Sequence, residues 1–293
     1  MPSLPVIKQL LREVTSSKDA FRVPEPDLIM EDAAQVASFH EAGRENGVMA
    51  PVYLFHAAQI CETIRPGDTV LDLGCGPANQ LGLVARLNPD VHFIGVDLSA
   101  EMLAMAEQNL QSRGIGNVTL QHGDITNLNR YAQASADSVM STVVLHHLPD
   151  ESALFRCFTE VRRVLKPDGG LYLVDFAHLK TLAAIHYFSH QYEARQPALF
   201  TVDYLNSLHA AFELSVWRQG WTRYLKDFGA LHSTFVVPYM VAVKSPVRRS
   251  LTAGMLAHLN EVYRDMPAYH RTDLKDLVTF FRLGGLPSPS FFR

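Results

Sequence analysis

A regular alternation of β-rich runs and amphipathic helical stretches between residues 69 and 176 constrains this chain more than any other feature. Ser99 and Asp150 stand at the starts of two helical stretches, where their side chains can cap the first turn. Because strands and helices that alternate through short connections favour right-handed crossovers, we predict a doubly wound, mostly parallel α/β sheet. The predicted strands are Thr69–Leu73, His92–Val96, Val118–Gln121, Ser138–Val144 and Leu171–Asp175.

The rest of the sequence surrounds this region with segments of different character. We divide the chain into an N-terminal helical cap (1–50), the core (51–176), a helical insertion that forms a lid (177–212), a segment that completes the sheet (213–250) and a helical C-terminal extension (251–293). The run from Phe235 to Val243 predicts an antiparallel hairpin strand, with Pro238 at a sheet edge or a bulge. A helix that packs on the domain is predicted from an apolar stripe in the cap: Val6, Ile7, Leu10, Leu11 and Val14.

Composition and charge exclude several classes of protein. Lys and Arg number 26 against 30 Asp and Glu, and a net charge of −4 without a long basic run argues against binding to nucleic acid. No apolar stretch approaches the roughly 20 residues that span a bilayer. Cys61, Cys75 and Cys157 form neither a disulfide scaffold nor a metal-ligand spacing, which indicates a reducing compartment. We therefore expect a cytoplasmic protein without a membrane partner. Its apolar C-terminal extension would dock on the domain or on a second copy in a homodimer.

A glycine loop follows the first predicted strand, in the stretch V-L-D-L-G-C-G-P-A that begins at Val70. Because glycine has no Cβ, Gly74 and Gly76 let the backbone approach a ligand closely at the carboxyl edge of the sheet. Asp97 ends the second strand, where a carboxylate can accept hydrogen bonds from both ribose hydroxyls. A glycine loop and an acidic residue at these two strand ends fit any cofactor that contains a nucleotide.

Acidic residues narrow the choice of cofactor. Asn79 stands where a dinucleotide fingerprint needs a small residue, which argues against a dehydrogenase. Asp72, within the first strand, suits a cofactor that carries positive charge, such as a sulfonium or an α-amino group. Asp124, after the third strand, is placed to accept a hydrogen bond from an exocyclic adenine amine. Acidic residues at three successive strand ends therefore favour a cationic ligand that contains adenosine.

Five stretches in the correct order resemble the motifs of class I S-adenosylmethionine-dependent methyltransferases, and they are most similar to the small-molecule branch described as UbiE-like. They are V-L-D-L-G-C-G, F-I-G-V-D-L-S-A-E-M-L, H-G-D-I, D-S-V-M-S-T-V-V-L-H-H-L-P-D and V-L-K-P-D-G-G-L-Y-L-V-D. The resemblance covers roughly residues 50–176 and departs from the family at Ala78, where a third glycine is usual. It implies a Rossmann-like fold and S-adenosyl-L-methionine as the cofactor.

The resemblance also implies where the parts of the cofactor lie. The methionine moiety would lie beside the glycine loop, the ribose on Asp97, the adenine beside Asp124 and the sulfonium near the end of the fourth strand. The thiol within the loop is expected to be inert. The implied cofactor-binding residues are Asp72, Gly74, Cys75, Gly76, Asp97, Leu98, Met102, Asp124, Ile125, Thr142 and Val143.

Residues that could act on an acceptor follow the fourth strand. The resemblance places His146 and His147 beside the methyl group, and either is a candidate base for an acceptor that must lose a proton. Adjacent residues point in different directions, so at most one should reach the substrate. Tyr187 in the insertion is a third catalytic candidate. His186 and His190 share a helix face, but without a third ligand they predict no metal site.

The predicted function is methyl transfer to a small molecule through an O, N, S or C nucleophile. Phe39 or Tyr53, shortly before the first strand, would close the site. An alternative is an enzyme of the same fold that cleaves or cyclises the cofactor and releases methylthioadenosine. Another is a non-catalytic, cofactor-binding partner of a biosynthetic enzyme. The sequence leaves the acceptor and these alternatives open.

Overall fold

The computed structural model describes residues 4–27 and 29–292, and a seven-stranded sheet lies at its centre. Its strands are β1 (Thr69–Leu73), β2 (His92–Asp97), β3 (Val118–His122), β4 (Ala136–Thr142), β5 (Leu165–Phe176), β6 (Ala230–Ser233) and β7 (Met240–Lys244). They lie in the order β3-β2-β1-β4-β5-β7-β6. Strands β1 to β5 pair in parallel, whereas β7 runs antiparallel to both β5 and β6. The predicted doubly wound, mostly parallel sheet is confirmed.

The hairpin at one end of the sheet corrects the prediction for residues 235–243. The strand there begins at Met240, and it lies between two other strands rather than at an edge. Pro238 lies in the connection before it, where the missing N–H interrupts no ladder. The edge strand is β6, which the sequence analysis missed because its four residues, A-L-H-S, contain no apolar run.

Helices surround the sheet. They are α1 (Leu4–Thr15), α2 (Ala33–Ala42), α3 (Ala50–Cys61), α4 (Asn79–Leu87), α5 (Ala100–Ser112), α6 (Glu151–Val164), α7 (Leu182–His190), α8 (Ala198–Ala210), α9 (Leu214–Gly220), α10 (Ala253–Asp265) and α11 (Ala268–Leu283). Ser99 caps α5 by accepting a hydrogen bond from the amide of Met102, and Asp150 caps α6 by accepting one from Ala153. Both predicted helix starts are thus confirmed. No described helix is long and apolar enough to cross a membrane.

Alternate residues of the central strands belong to two separate cores. Leu71 and Leu73 of β1 pack in the cluster that contains Phe158 of α6 and Trp217 of α9. Val70, the residue before Leu71, belongs to the cluster that contains residues of α3, α4 and α5. Side chains on a strand alternate between its two faces, so a strand buried on both sides serves both cores. Because β1 to β4 also pair in parallel, their carboxyl ends lie together at one edge of the sheet.

The N-terminal helix packs through only part of the predicted stripe, the side that contains Val6 and Leu10. Ile7, Leu11 and Val14 of the predicted apolar stripe are exposed, and Glu13 on α1 is instead 7% exposed. The Glu13 carboxylate accepts hydrogen bonds from the amides of Lys180 and Thr181, at 2.7 and 2.8 Å. The sequence pattern failed here because a buried acid with partners more than 160 residues away interrupts the apolar face.

Candidate functional site

A cavity of about 220 Å³ opens at the carboxyl ends of the first four strands. The loops after β1, β2, β3 and β4 all contribute to its wall, as expected for a doubly wound sheet, whose ligands bind at this edge. Every residue predicted to bind cofactor lines it: Asp72, Gly74, Cys75, Gly76, Asp97, Leu98, Met102, Asp124, Ile125, Thr142 and Val143. The structure thus brings together residues as far apart in the sequence as Asp72 and Val143.

The glycine loop after β1 folds back on the sheet at this cavity. The amides of Gly74 and Cys75 both donate to the carbonyl of Val96, at 2.8 and 3.0 Å. Gly74 has a φ of +74°, and a Cβ built there would overlap the side chain of Val144. Both the left-handed backbone and the close approach therefore require glycine at position 74.

Ala78 ends this loop and precedes α4 in a strained conformation. Its φ of 58° and ψ of 30° lie in the left-handed region, which costs a residue with a Cβ about 1 kcal/mol or more. We expect Ala78→Gly to raise the free energy of unfolding by about 1 kcal/mol, measured by urea denaturation. The matched control, Ala85→Gly within right-handed α4, removes the same methyl group and should lower stability by about 1 kcal/mol. A loss of stability in Ala78→Gly would contradict this account of the strain.

Asp97 connects the end of β2 to the glycine loop. Its Oδ2 accepts a hydrogen bond from the Gly76 amide at 2.8 Å, and its Oδ1 accepts one from the Ser99 amide at 2.9 Å. Burial raises the pKa of Asp97, and these backbone hydrogen bonds oppose that shift. Each carboxylate oxygen has a second lone pair, so both can still accept a hydrogen bond from the cavity.

Two further carboxylates face the same cavity. Asp72, on β1, is 4% exposed, and burial together with the charge of Asp97 raises its pKa to about 8. A cationic group beside Asp72 would reverse this shift, because it favours the ionised carboxylate. Asp124 lies after β3, and its Oδ1 accepts a hydrogen bond from the Thr126 amide at 2.7 Å. This bond fixes the turn and leaves Oδ2 free to accept from a ligand.

The end of β4 forms the fourth side of the cavity. Val143 has a φ of 55°, which is rare for a β-branched residue. Its amide donates to the Val174 carbonyl at 2.8 Å, which ties the distorted backbone to β5. The hydroxyl of Thr142 is buried and has no hydrogen-bond partner among the described residues. A strained residue next to an unpaired polar group is typical of the wall of a ligand-binding site.

The two histidines lie in a 3₁₀ turn, Leu145–His147, which follows β4 as predicted. His147 lines the cavity, whereas His146 is 2% exposed and is not among the lining residues. Oδ1 of Asp175 lies 2.7 Å from Nδ1 of His146, and Oδ2 accepts from the His146 amide at 2.7 Å. Burial alone would lower the pKa of His146, but the charge and hydrogen bond of Asp175 raise it. Burial lowers the pKa of His147.

Tyr187, in the insertion, lies outside the lining of the cavity, and its catalytic role stays a prediction. This residue lines neither this cavity nor the second one described below, and its ring contacts Phe188 edge-on at 5.3 Å between centroids. The reason is helical geometry, because Phe188 occupies the buried face of α7 that points to the second cavity. His186 and His190 stack with ring centroids 4.0 Å apart. A metal-binding role for this pair stays without support.

The N-terminal segment supplies wall residues that the sequence analysis missed. Ile29 and Met30 line the cavity, and the Met30 carbonyl accepts a hydrogen bond from the Ser99 hydroxyl at 2.6 Å. Phe39 and Tyr53, the two residues predicted to close the site, also line the cavity. No sequence signal marks residues 29–30, since they lie in an irregular stretch before α2.

A second cavity of about 170 Å³ lies beneath α7 and α8. Phe39 of the first cavity and Phe200 of the second are in ring contact, with centroids 6.1 Å apart, so an aromatic wall separates the two spaces. Asp273 accepts a hydrogen bond from the Tyr192 hydroxyl at 2.6 Å at one side. Aromatic side chains dominate its lining: Phe176, Phe188, Tyr192, Phe200, Tyr204, Phe235, Tyr239 and Phe280.

Comparisons with known proteins agree on one family. Residues 64–229, more than half of the chain, match the family described as a methyltransferase domain. An arsenite methyltransferase from Halobacterium salinarum is 37% identical over 113 residues, which are 38% of this chain and 28% of that protein. A demethylmenaquinone methyltransferase from Geobacillus kaustophilus is 34% identical over 107 residues, which are 36% of this chain and 44% of that protein. The chain thus spans less than half the length of these curated relatives.

Solved structures share the fold. A SAM-dependent methyltransferase from Aquifex aeolicus superposes with a TM-score of 0.51 and 14% identity, over 74% of this chain and 98% of that chain. A plantazolicin methyltransferase, solved with a triazolic desmethylPZN analogue and SAH, gives a TM-score of 0.53 and 14% identity, over 82% of this chain and 84% of that chain. At these identities the likeness is one of architecture.

Proposed function

The chain belongs to the methyltransferase-domain family, and from this membership we propose that it transfers the methyl group of S-adenosyl-L-methionine to a small-molecule acceptor. One observation carries the proposal: Asp72, Asp97 and Asp124, from three neighbouring strands, face one cavity together with the glycine loop. Carboxylates at these positions repel a pyrophosphate and attract a sulfonium or an ammonium group, whose charge also favours the ionised form of Asp72. This charge pattern supports S-adenosylmethionine over a dinucleotide.

Within that cavity, the proposed contacts follow the order of the strands. Asp72 accepts hydrogen bonds from the α-ammonium group of the cofactor, Asp97 accepts from the ribose hydroxyls, and Asp124 accepts from the adenine amine. The strained backbone at Val143 lies on the side of the cavity that also contains His147. The sulfonium group would therefore lie between the carboxylate of Asp72 and the imidazole of His147.

The raised pKa of Asp72 gives a pH dependence with a defined sign. The uncomplexed protein holds Asp72 protonated below about pH 8, whereas an ammonium group binds to the carboxylate form. Binding must therefore release a proton, and affinity for S-adenosylhomocysteine should rise with pH, by up to about tenfold per unit, and level off near pH 8. Isothermal titration calorimetry between pH 6 and 8.5 checks this. The matched variant, Asp72→Asn, should bind more weakly and lose the dependence. A wild-type affinity that falls with pH would contradict it.

The same shift affects the stability of the protein without cofactor. A carboxyl group whose pKa is raised on folding binds protons more tightly in the folded state, so the wild type should lose stability as pH rises from about 4 towards 8. The Asp72→Asn variant should lack the part of this loss of stability that comes from Asp72. Melting curves of both proteins without ligand, recorded across this pH range, measure the difference.

The cysteines bear on the class of acceptor. All three are buried, and burial raises the pKa of Cys61 to about 11 and that of Cys157 to about 12. Thiols held neutral and away from solvent are poor ligands for a soft metalloid. We therefore propose an organic acceptor rather than arsenite, although one curated relative is an arsenite methyltransferase.

The second cavity supports an acceptor with an apolar or aromatic body. Its wall is rich in aromatic rings, and the contact of Phe39 with Phe200 places it directly behind the first cavity. Apolar cavities with a few polar groups bind small organic ligands, whose orientation those polar groups fix. Movement of these two rings would join the cavities, so that the acceptor body fills one while its nucleophile enters the other.

The reaction requires little from the protein beyond alignment. The nucleophile attacks the methyl carbon, the bond from carbon to sulfur breaks, and S-adenosylhomocysteine leaves with the electron pair. Holding the two reactants in line supplies most of the rate, and a proton acceptor is needed only where the nucleophile carries a proton. His147 lines the cavity, so we assign a role in activation of the acceptor to this side chain.

Mass spectrometry of the purified protein with S-adenosylmethionine, alone and with a small-metabolite extract, tests the proposal. We expect S-adenosylhomocysteine and a methylated small molecule only when extract is present, and neither with the Asp97→Ala variant as the background control. Methylthioadenosine formed without extract would instead show that the cofactor is the substrate. Tight binding of S-adenosylmethionine without turnover in any fraction would favour a non-catalytic, cofactor-binding partner.

A further inference from the structure

We propose that Glu25, His146 and His147 bind a divalent transition-metal ion, with Zn²⁺ as the best fit to the three ligands. His146 Nε2 and His147 Nδ1 each lie 3.9 Å from Oε1 of Glu25. All three ligand atoms lie within 4.8 Å of one another. Two histidines and one carboxylate form a ligand set that zinc enzymes use.

The distances are those of ligands around an ion rather than of hydrogen-bonded partners. At 3.9 Å neither imidazole nitrogen is within hydrogen-bond range of the Glu25 carboxylate. Ligand atoms around a tetrahedral Zn²⁺ are roughly 3.4 Å apart, given bonds of about 2.1 Å. The two distances of 3.9 Å to Glu25 exceed this spacing by about 0.5 Å, so side-chain adjustments would bring the three ligands onto one ion. Oε1 of Glu25 also accepts a hydrogen bond from the Ser207 hydroxyl at 3.0 Å, which orients the carboxylate.

The orientation of His146 is an independent observation that points to a ligand. Its Nδ1 lies 2.7 Å from Asp175 Oδ1, which fixes the proton on Nδ1 and leaves the lone pair on Nε2. That Nε2 is buried and has no hydrogen-bond partner among the described residues. A carboxylate that holds the far nitrogen of a metal-binding histidine is the usual second partner of such ligands.

Charge in this region also calls for a cation. Glu25, Asp175 and Asp203 bring three carboxyl groups around the histidine pair, and Oδ2 of Asp203 is buried without a partner among the described residues. Arg22 lies beside them, but its guanidinium donates to the main-chain carbonyls of residues 146, 148, 149 and 210. Buried acidic groups are expensive unless paired with positive charge, and a dication would supply it.

The position of the site gives the ion a role, which rests on the proposed function. Three protein ligands leave a fourth position open, as in catalytic zinc sites. Because His147 also lines the cavity at the strand ends, the open position would face the space assigned to the acceptor nucleophile. A hydroxyl or thiol bound there would lose its proton at neutral pH, since a metal ion lowers the pKa of its ligands. The site thus favours an oxygen or sulfur nucleophile over carbon.

Zinc content tests the site without acceptor or cofactor, so its failure is distinguishable from a failure of methyl transfer. The full chain is treated with a chelator, incubated with Zn²⁺ and desalted, and zinc per chain is measured by elemental mass spectrometry together with the melting temperature. We expect about one ion per chain and a rise of several degrees in the wild type. Glu25→Gln and His147→Gln should lose most of the zinc and of the rise.

The matched control is His190→Gln, which removes an imidazole from the stacked pair on α7 and should retain the ion. Circular dichroism of each zinc-free variant confirms that it is folded. The proposal is overturned if the wild type retains no zinc, or if Glu25→Gln and His147→Gln both retain it fully. Loss of zinc in His190→Gln alone would place the ion on α7 and equally overturn it.

Discussion

Replacement of Asp97 by alanine should weaken the binding of S-adenosylhomocysteine by about 100-fold or more. The variant loses two hydrogen bonds from ribose hydroxyls to a charged group, each worth about 1.5 to 3 kcal/mol. It also releases the amides of Gly76 and Ser99, which the carboxylate holds at 2.8 and 2.9 Å, so the glycine loop loses its fixed position. Isothermal titration calorimetry gives the affinity, and circular dichroism shows that the fold is retained.

Asp124→Ala is the matched comparison for this experiment. It removes a carboxylate from the next strand end, but only one contact to the adenine is proposed there, so the loss should be about tenfold. Asp97→Asn keeps one acceptor oxygen, so its loss of affinity should lie between the losses expected for Asp97→Ala and Asp124→Ala. An Asp97→Ala affinity equal to that of the wild type would remove Asp97 from the ribose site and with it the assigned orientation of the cofactor.

The second large effect concerns His146, whose substitution by alanine should lower the free energy of unfolding by about 3 to 5 kcal/mol. The change leaves the carboxylate of Asp175 buried in the core without the imidazole that pairs with it at 2.7 Å. Denaturant titration in the presence of a chelator measures this loss without a contribution from bound metal. His146→Asn keeps an N–H near Asp175 and should recover part of the stability.

His147→Ala is the neighbouring control. Its side chain is 28% exposed and borders the cavity, so its stability should stay within about 1 kcal/mol of the wild type while turnover is lost. Affinity for S-adenosylhomocysteine should be unchanged. Equal stability of the His146→Ala and His147→Ala variants would contradict the buried pair. Near-normal turnover of His147→Ala would remove this residue from acceptor activation.

The sequence was sufficient to predict the five parallel strands of the sheet and the residues at their carboxyl edge. The reason is local: a buried strand, a glycine turn and an acidic residue all lie within a few positions of one another, as at Asp72 and Gly74. The topology then places successive strand ends side by side, which is why Asp97 and Asp124 reach the same cavity. Short-range pattern and a regular fold together determine that part of the site.

The remaining features depend on contacts between distant segments, which leave no periodic trace. Glu25 and His146 lie more than a hundred residues apart, and nothing near Glu25 in the sequence marks it as a partner of the histidines. Glu13 interrupts an apolar stripe because its partners are on α7. The sequence also could not show that Phe188 rather than Tyr187 lies on the buried face of α7, since the inward face of a short helix depends on its packing.

The bonds from Glu13 to residues 180 and 181 have a consequence for how the enzyme admits its substrate. They attach the first helix to the start of α7, and α7 covers the aromatic cavity, so neither element can lift without the other. If the acceptor entered by displacement of α7, the hydrogen bonds from residues 180 and 181 to the buried Glu13 carboxylate would have to break. Opening would therefore be slow and would involve both helices together. Helix α1 would then hold the cover of the aromatic cavity closed, and its removal would free α7 from this attachment.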